Sequence, residues 1–167
     1  MRLKSNMHGR EKPRSAVVIR RVEENDLDRI MKIEESSFRS KDTFSLALFR
    51  RYLKKLRNGF YVVLDGEGAV VGYAVFEDVG ERCYVLSIAI LPDNRNQGLA
   101  TMLMAFIESE CRRRGLSKIV LDVRVDNESA ISFYKRLGLV EAGRKTRFYE
   151  DGIDALIMEK HLMTSSE

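Results

Sequence analysis

Apolar residues recur along this chain in two periods, and the switches between them outline its elements. Ala16-Val17-Val18-Ile19 predicts a first strand. Leu27, Ile30, Met31 and Ile33 then repeat at helical spacing behind Asn25 or Asp26, either of which suits a helix N-cap. Ser36 to Ser45 is polar and helix-poor. A second helix carries Leu46, Phe49, Leu53 and Leu56 on one side and Arg50, Arg51, Lys54 and Lys55 on the other. From Phe60 the period shortens. Strands at 60–64 and 69–76 flank the hairpin turn Asp65-Gly66-Glu67-Gly68, and Asp78 to Glu81 turns the chain into a strand at 83–91.

The stretch from Tyr84 to Arg114 organises the rest. Its apolar run Val85 to Leu91 reads as a buried strand, closed by Pro92-Asp93-Asn94. Leu99, Met102, Leu103, Phe106 and Ile107 place a helix from Leu99 to Arg114, with Gly115 as a left-handed cap. Strand, Gly-containing loop and helix N-terminus together make an anion site. Free N–H groups and the helix dipole point at the loop, and Gly98 allows close approach. Beyond it, an apolar strand at 118–125 implies a parallel pair, because a helix has carried the chain back across the sheet. Asn127-Glu128 opens a helix with Ile131, Tyr134 and Leu137, closed by Gly138. Strands at 139–142 and 153–160 follow, the second after the turn Asp151-Gly152.

Composition bounds the chemistry. The 167 residues suit one domain with a sizeable core, and 44% apolar with 32% charged residues fits a globular protein. No apolar run approaches the roughly 20 residues of a membrane span, so no membrane partner and a cytoplasmic location are expected. The net charge of +4 is scattered along the chain, which argues against a nucleic-acid partner. Cys83 and Cys111 have no metal-ligand spacing and read as reduced, partly buried thiols. Histidines occur only at His8 and His161, which disfavours a His-based triad or a multi-His metal site, and no metal is expected. The basic stretch 1–14 reads as a tail, 15–162 as one domain and 163–167 as a second short tail.

Three segments carry a family resemblance. Arg95-Asn96-Gln97-Gly98-Leu99-Ala100 matches Gln/Arg-x-x-Gly-x-Gly/Ala, the acetyl-CoA pyrophosphate loop of the GNAT superfamily of N-acetyltransferases. Asn127 to Leu139 is similar to the GNAT pattern Asn-x-x-Ala-x-x-x-Tyr-x-x-x-Gly-Phe, with Leu139 for Phe. Phe148 to Ala155 resembles the Tyr-Tyr-x-x-Gly-x-Asp-Ala segment of protein Nα-acetyltransferases, with Phe148 for the first Tyr. The resemblance extends from about Val17 to His161. It implies an α/β (α+β) GNAT fold: a mixed, mostly antiparallel sheet with a central parallel strand pair and flanking helices.

The resemblance also implies a site. Acetyl-CoA, a co-substrate, would lie on the main chain of Ile88, Ala89 and Ile90. Its pyrophosphate would meet Arg95, Asn96, Gln97, Gly98, Leu99, Ala100 and Thr101, with Asn127 as either a further contact, a helix N-cap, or both. Tyr134 matches the tyrosine that protonates the departing thiolate, although its apolar face would equally suit a core tyrosine. Asp122 stands where bacterial alanine N-acetyltransferases have a Glu base, one methylene shorter. Asp42 stands near a loop Glu of the archaeal and eukaryotic relatives. Phe38, Phe44 and Tyr149 would flank the acceptor peptide.

The expected acceptor is a protein N-terminus, with a lysine or a small amine such as a polyamine as the alternative and a non-catalytic acetyl-CoA-binding module behind both. An α-amine of pKa near 7.7–8.0 loses its proton for about 3–4 kcal/mol less than a lysine of pKa near 10.4, which suits weak carboxylate bases. A monomer or weak dimer is expected.

Overall fold

The computed structural model describes residues 16–163. The tail expected at 1–14, and all but Met163 of the one expected at 163–167, lie outside the described residues. The chain runs β1 (Val18–Arg21), α1 (Leu27–Ser37), α2 (Leu46–Lys55), β2 (Phe60–Leu64), β3 (Val70–Val79), β4 (Arg82–Ile90), α3 (Leu99–Arg113), β5 (Lys118–Arg124), α4 (Glu128–Arg136), β6 (Val140–Lys145) and β7 (Ala155–His161). All seven strands join one sheet in the order β1-β2-β3-β4-β5-β7-β6. Only β4 and β5 are parallel. This is the mixed, mostly antiparallel sheet with a central parallel pair that the resemblance implies.

Strand alternation splits the core into two layers. From β2, Phe60 and Val62 face α1 and α2, where they meet Ile30, Ile33 and Phe49. Tyr61 and Val63 face the other side and pack with Leu103 and Ile107 of α3. Cys83 and Cys111 are fully buried in that second layer.

Several boundaries differ from the sequence expectation. The first strand begins at Val18 rather than Ala16, and β3 continues through Asp78 and Val79, leaving a tighter turn at Gly80, whose φ is +62°. α1 keeps Ser36 and Ser37. Asp26 precedes α1 but does not cap it. Its carboxylate accepts from the Glu23 N–H at 2.8 Å and pairs with Arg20 at 2.8 Å, because a short 3-10 turn leads into the helix. Ser45 does cap α2, accepting from the Leu48 N–H at 3.2 Å.

Two irregularities position the site. Val75 pairs with Ser87 and Phe76 with Val85, so Leu86 is an extra residue that bulges β4. β4 and β5 pair from Arg82↔Lys118 only to Val85↔Leu121, after which both strands continue unpaired to each other. The sheet therefore opens between β4 and β5 just past the bulge.

Candidate active site

A cavity of about 460 Å³ fills that opening. Its walls are Leu86, Ser87 and Ile88 of β4, Leu121 to Arg124 of β5, Asn127 at the start of α4, and Ala130 and Tyr134 within that helix. Phe38, Asp42 and Phe44 close it from the α1–α2 loop, and Phe148 and Tyr149 from the β6–β7 loop. The sequence-derived candidates Tyr134, Asp122, Asp42, Asn127, Ile88, Phe38, Phe44 and Tyr149 thus meet around one space. Ala89 and Ile90 continue along the β4 edge, paired to Tyr73 and Gly72 of β3 on one side and to no strand on the other. That edge suits a ligand carrying an extended amide chain.

At one end lies the loop between β4 and α3. Asn96 and Gly98 adopt left-handed conformations, with φ of 60° and 80°. The N–H groups of Asn96, Gln97 and Gly98 find no backbone acceptor among the described residues, and α3 satisfies its first amide only at Met102, which bonds Gly98 O at 3.0 Å. Leu99, Ala100 and Thr101 therefore leave first-turn amides open beside the positive end of the helix dipole. Arg95 behaves differently. Its own N–H turns to Pro92 O at 3.3 Å, and its guanidinium folds back onto Ile90 O at 3.0 Å and Ser37 Oγ at 3.2 Å. These contacts tie Arg95 to the end of β4 and to α1. A Cβ on Gly98 would meet nothing within 4 Å, so in the free protein its positive φ, not crowding, requires glycine.

Tyr134 is buried, and its hydroxyl bonds no protein group among the described residues. Burial, then the neighbouring Tyr149, pushes its ionisation up to about 12, so the phenol holds its proton throughout the neutral range. Asn127 caps α4, accepting from the Ala130 N–H at 3.2 Å, while lining the cavity. Burial and then the charge of Asp122 push Tyr149 up to about 12 as well.

Both candidate bases are engaged. Asp122 takes a hydrogen bond from the Tyr84 hydroxyl and an ion pair from Lys145 Nζ at 2.7 Å, both at Oδ2, while Oδ1 is buried with no partner. Asp42 pairs with Arg124 at 3.0 Å. Arg124 also holds Asp126 at 3.0 Å and Asp151 at 2.6 Å, and its guanidinium stacks 4.7 Å from the Tyr149 ring centre. Donating to Asp151 and Asp126 raises the guanidinium above its ordinary value.

Sequence reasoning missed Tyr84, Lys145, Arg124 and Glu34. Glu34 is 1% exposed on the apolar face of α1, four residues past Ile30. It accepts from the Phe44 N–H at 2.7 Å and from the Tyr73 hydroxyl, which also meets Ser87 Oγ at 2.8 Å. Burial raises its carboxyl despite those donors. A carboxylate at a core position of a helical stripe is a readable signal.

A family model described as the acetyltransferase (GNAT) family matches residues 27–139. The chain is 33% identical over 118 residues to N-alpha-acetyltransferase 30 of Schizosaccharomyces pombe, covering 68% of this chain and 79% of that one. It is 31% identical over 143 residues to the [ribosomal protein bS18]-alanine N-acetyltransferase of Escherichia coli, covering 82% and 92%. Among solved structures, Ard1 from Thermoplasma volcanium superposes with a TM-score of 0.83 at 27% identity, covering 89% of this chain and 99% of that one. With the sheet order, the opened parallel pair and the Gly98 loop in place, this chain belongs to the acetyltransferase (GNAT) family.

Proposed function

We propose that this acetyltransferase acts on the α-amino group of protein N-termini with acetyl-CoA as donor. The names of its relatives support the acceptor class, and one observation carries it for this chain. Arg124 draws Asp42 and Asp151 together across the cavity mouth, joining the α1–α2 loop to the β6–β7 loop. A polyamine site needs unpaired carboxylates at its entrance. Here Asp42 and Asp151 are both ion-paired with Arg124, and Asp154 accepts from the Arg147 N–H at 2.9 Å and faces Arg144 at 3.5 Å. What remains is an aromatic slot between Phe38, Phe44, Phe148 and Tyr149, suited to an uncharged peptide backbone.

The residues fit the donor. The open β4 edge at Ile88 to Ile90 takes its amide chain, and the amides of Asn96 to Thr101 take its pyrophosphate. Acetyl-CoA supplies an activated acetyl group whose departing sulfur needs a proton. Tyr134 holds a hydroxyl ready to give one. Its raised ionisation does not defeat that role, since the burial that disfavours a phenolate disfavours a thiolate too. On the acceptor side, Asp122 with Tyr84 takes the proton that the amine must lose.

The test is a panel of N-terminal peptides, lysine peptides and spermidine, each with acetyl-CoA. N-terminal peptides should be consumed fastest at neutral pH, with the gap to lysine peptides narrowing as pH rises toward the lysine pKa. Faster use of lysine or spermidine at neutral pH would overturn the acceptor assignment.

A further inference from the structure

Lys145 ends β6, and its place follows from the strand order. It pairs in register with Ala155 of β7, which pairs with Arg124 of β5. Asp122 lies two residues back on the Arg124 face. The ammonium of Lys145 reaches Asp122 Oδ2 at 2.7 Å and the Tyr84 hydroxyl at 2.9 Å, while Tyr84 donates to that same Oδ2. The three groups form a closed triangle on the cavity wall. Two aromatic faces hold the cation there, Tyr84 with its ring centre at 5.4 Å and Phe148 at 4.9 Å.

A carboxylate at this place faces a difficulty. The Asp122 side chain is only 11% exposed and one of its oxygens has no partner among the described residues, so an anion standing alone there would be poorly solvated. A carboxylic acid cannot accept a proton from an amine. A cation in contact stabilises the anion, and Lys145 Nζ at 2.7 Å is placed to do so.

We propose that Lys145 is the positioning residue that keeps the Asp122–Tyr84 pair in its proton-accepting form and so sets the lowest pH at which the acceptor amine is acetylated. The proposal rests on the reading that Asp122 with Tyr84 receives the amine proton. In that step the acceptor ammonium loses one proton to the carboxylate and keeps its electron pair for the new C–N bond. Asp122 becomes a carboxylic acid, and Tyr84 and Lys145 end as they began.

The surrounding charges leave this role to Lys145. Tyr149 from the β6–β7 loop and Tyr134 from α4 both ionise only near about 12 and are neutral at working pH. Arg124 of β5 is taken up by Asp42, Asp126 and Asp151, with Arg39 3.7 Å from the last two, so this cluster lends Asp122 no free cation. Burial opposes the charge on Lys145, but the hydrogen bonds to Asp122 and Tyr84 outweigh it and hold the ammonium above the ordinary lysine value. Burial and then the hydrogen bond to Asp122 raise Tyr84, and Lys145 pulls it back down.

The experiment compares the wild type with Lys145→Met and Lys145→Arg, reading kcat/KM against pH with whichever acceptor of the panel is used fastest. Lys145→Met should move the acid limb up by about one pH unit or more and recover at alkaline pH. Lys145→Arg should keep the wild-type limb. An unmoved limb, or a loss equal at every pH, overturns the proposal. An activity-free reading accompanies it: the tyrosinate absorbance titration of Tyr84, taken as the difference between each protein and its Tyr84→Phe counterpart. That ionisation should move up in Lys145→Met and stay in Lys145→Arg, and no movement in Lys145→Met also overturns it. If a lysine peptide wins the panel, the Nα reading falls while these curves still decide the role of Lys145.

Discussion

The Arg124 guanidinium meets the Asp42 carboxylate at 3.0 Å, with both side chains about one-tenth exposed, and this contact ties a loop between two helices to the end of a central strand. Asp42 is thus ion-paired at the cavity mouth, where losing the pair would loosen the two loops. Asp42→Asn should raise KM for N-terminal peptides by about tenfold, the equivalent of roughly 1.5 kcal/mol for one charged hydrogen bond, and leave CoA affinity unchanged. Steady-state kinetics beside calorimetry with CoA would show it. A fall in kcat with unchanged KM would instead return Asp42 to the role of base.

Gly98 separates backbone strain from ligand approach. Gly98→Ala adds a methyl that meets nothing in the free protein but must hold a φ of +80°, so it should cost about 1–2 kcal/mol of stability and little CoA affinity. Gly98→Glu sets a negative charge at the same loop and should abolish CoA binding by calorimetry. Equal CoA affinity in the wild type and Gly98→Glu would place the pyrophosphate elsewhere.

Tyr134→Phe removes a hydroxyl that bonds no protein group among the described residues, so folding should be spared. The expected loss is in kcat, about a hundredfold or more, with CoA affinity nearly constant. Wild-type turnover in this variant would leave Tyr134 as a packing residue.

Glu34 gives a pH-dependent signature in stability. Its carboxyl is raised by burial, so the folded protein binds more protons than the unfolded chain above the ordinary glutamate value, and stability falls as pH rises through that window. Glu34→Gln removes the titration and keeps an acceptor for the Phe44 N–H. The melting temperature of Glu34→Gln should therefore gain on the wild type as pH rises from acid toward neutrality. A gap that is constant with pH would contradict a raised Glu34.

What the sequence revealed depended on whether a signal was local. Gly98 follows an apolar strand and opens a helix, and Asn127 stands at a helix start, so both could be placed without knowing the sheet order. Phe38, Phe44 and Tyr149 came from resemblance, and the structure gathers them because the α1–α2 and β6–β7 loops emerge at the same opening. Lys145 had no local mark. Its meeting with Asp122 depends on β7 inserting between β5 and β6, a pairing of distant segments that no short pattern encodes. Arg124 lay beside Asp122 in the chain, but its partners Asp42 and Asp151 are 82 and 27 residues away.

The parting of β4 from β5 leaves a trace that amide hydrogen exchange can follow. Residues 86–90 lie in the middle of the sheet by strand order, yet on the side away from β3 they have no strand to protect them. Their outward amides should exchange like those of an edge strand when the protein is alone and slow sharply when CoA is added. The neighbouring amides of β3 should stay protected in both conditions. The middle of this sheet is thus held shut on one side by the protein and on the other only by what it binds.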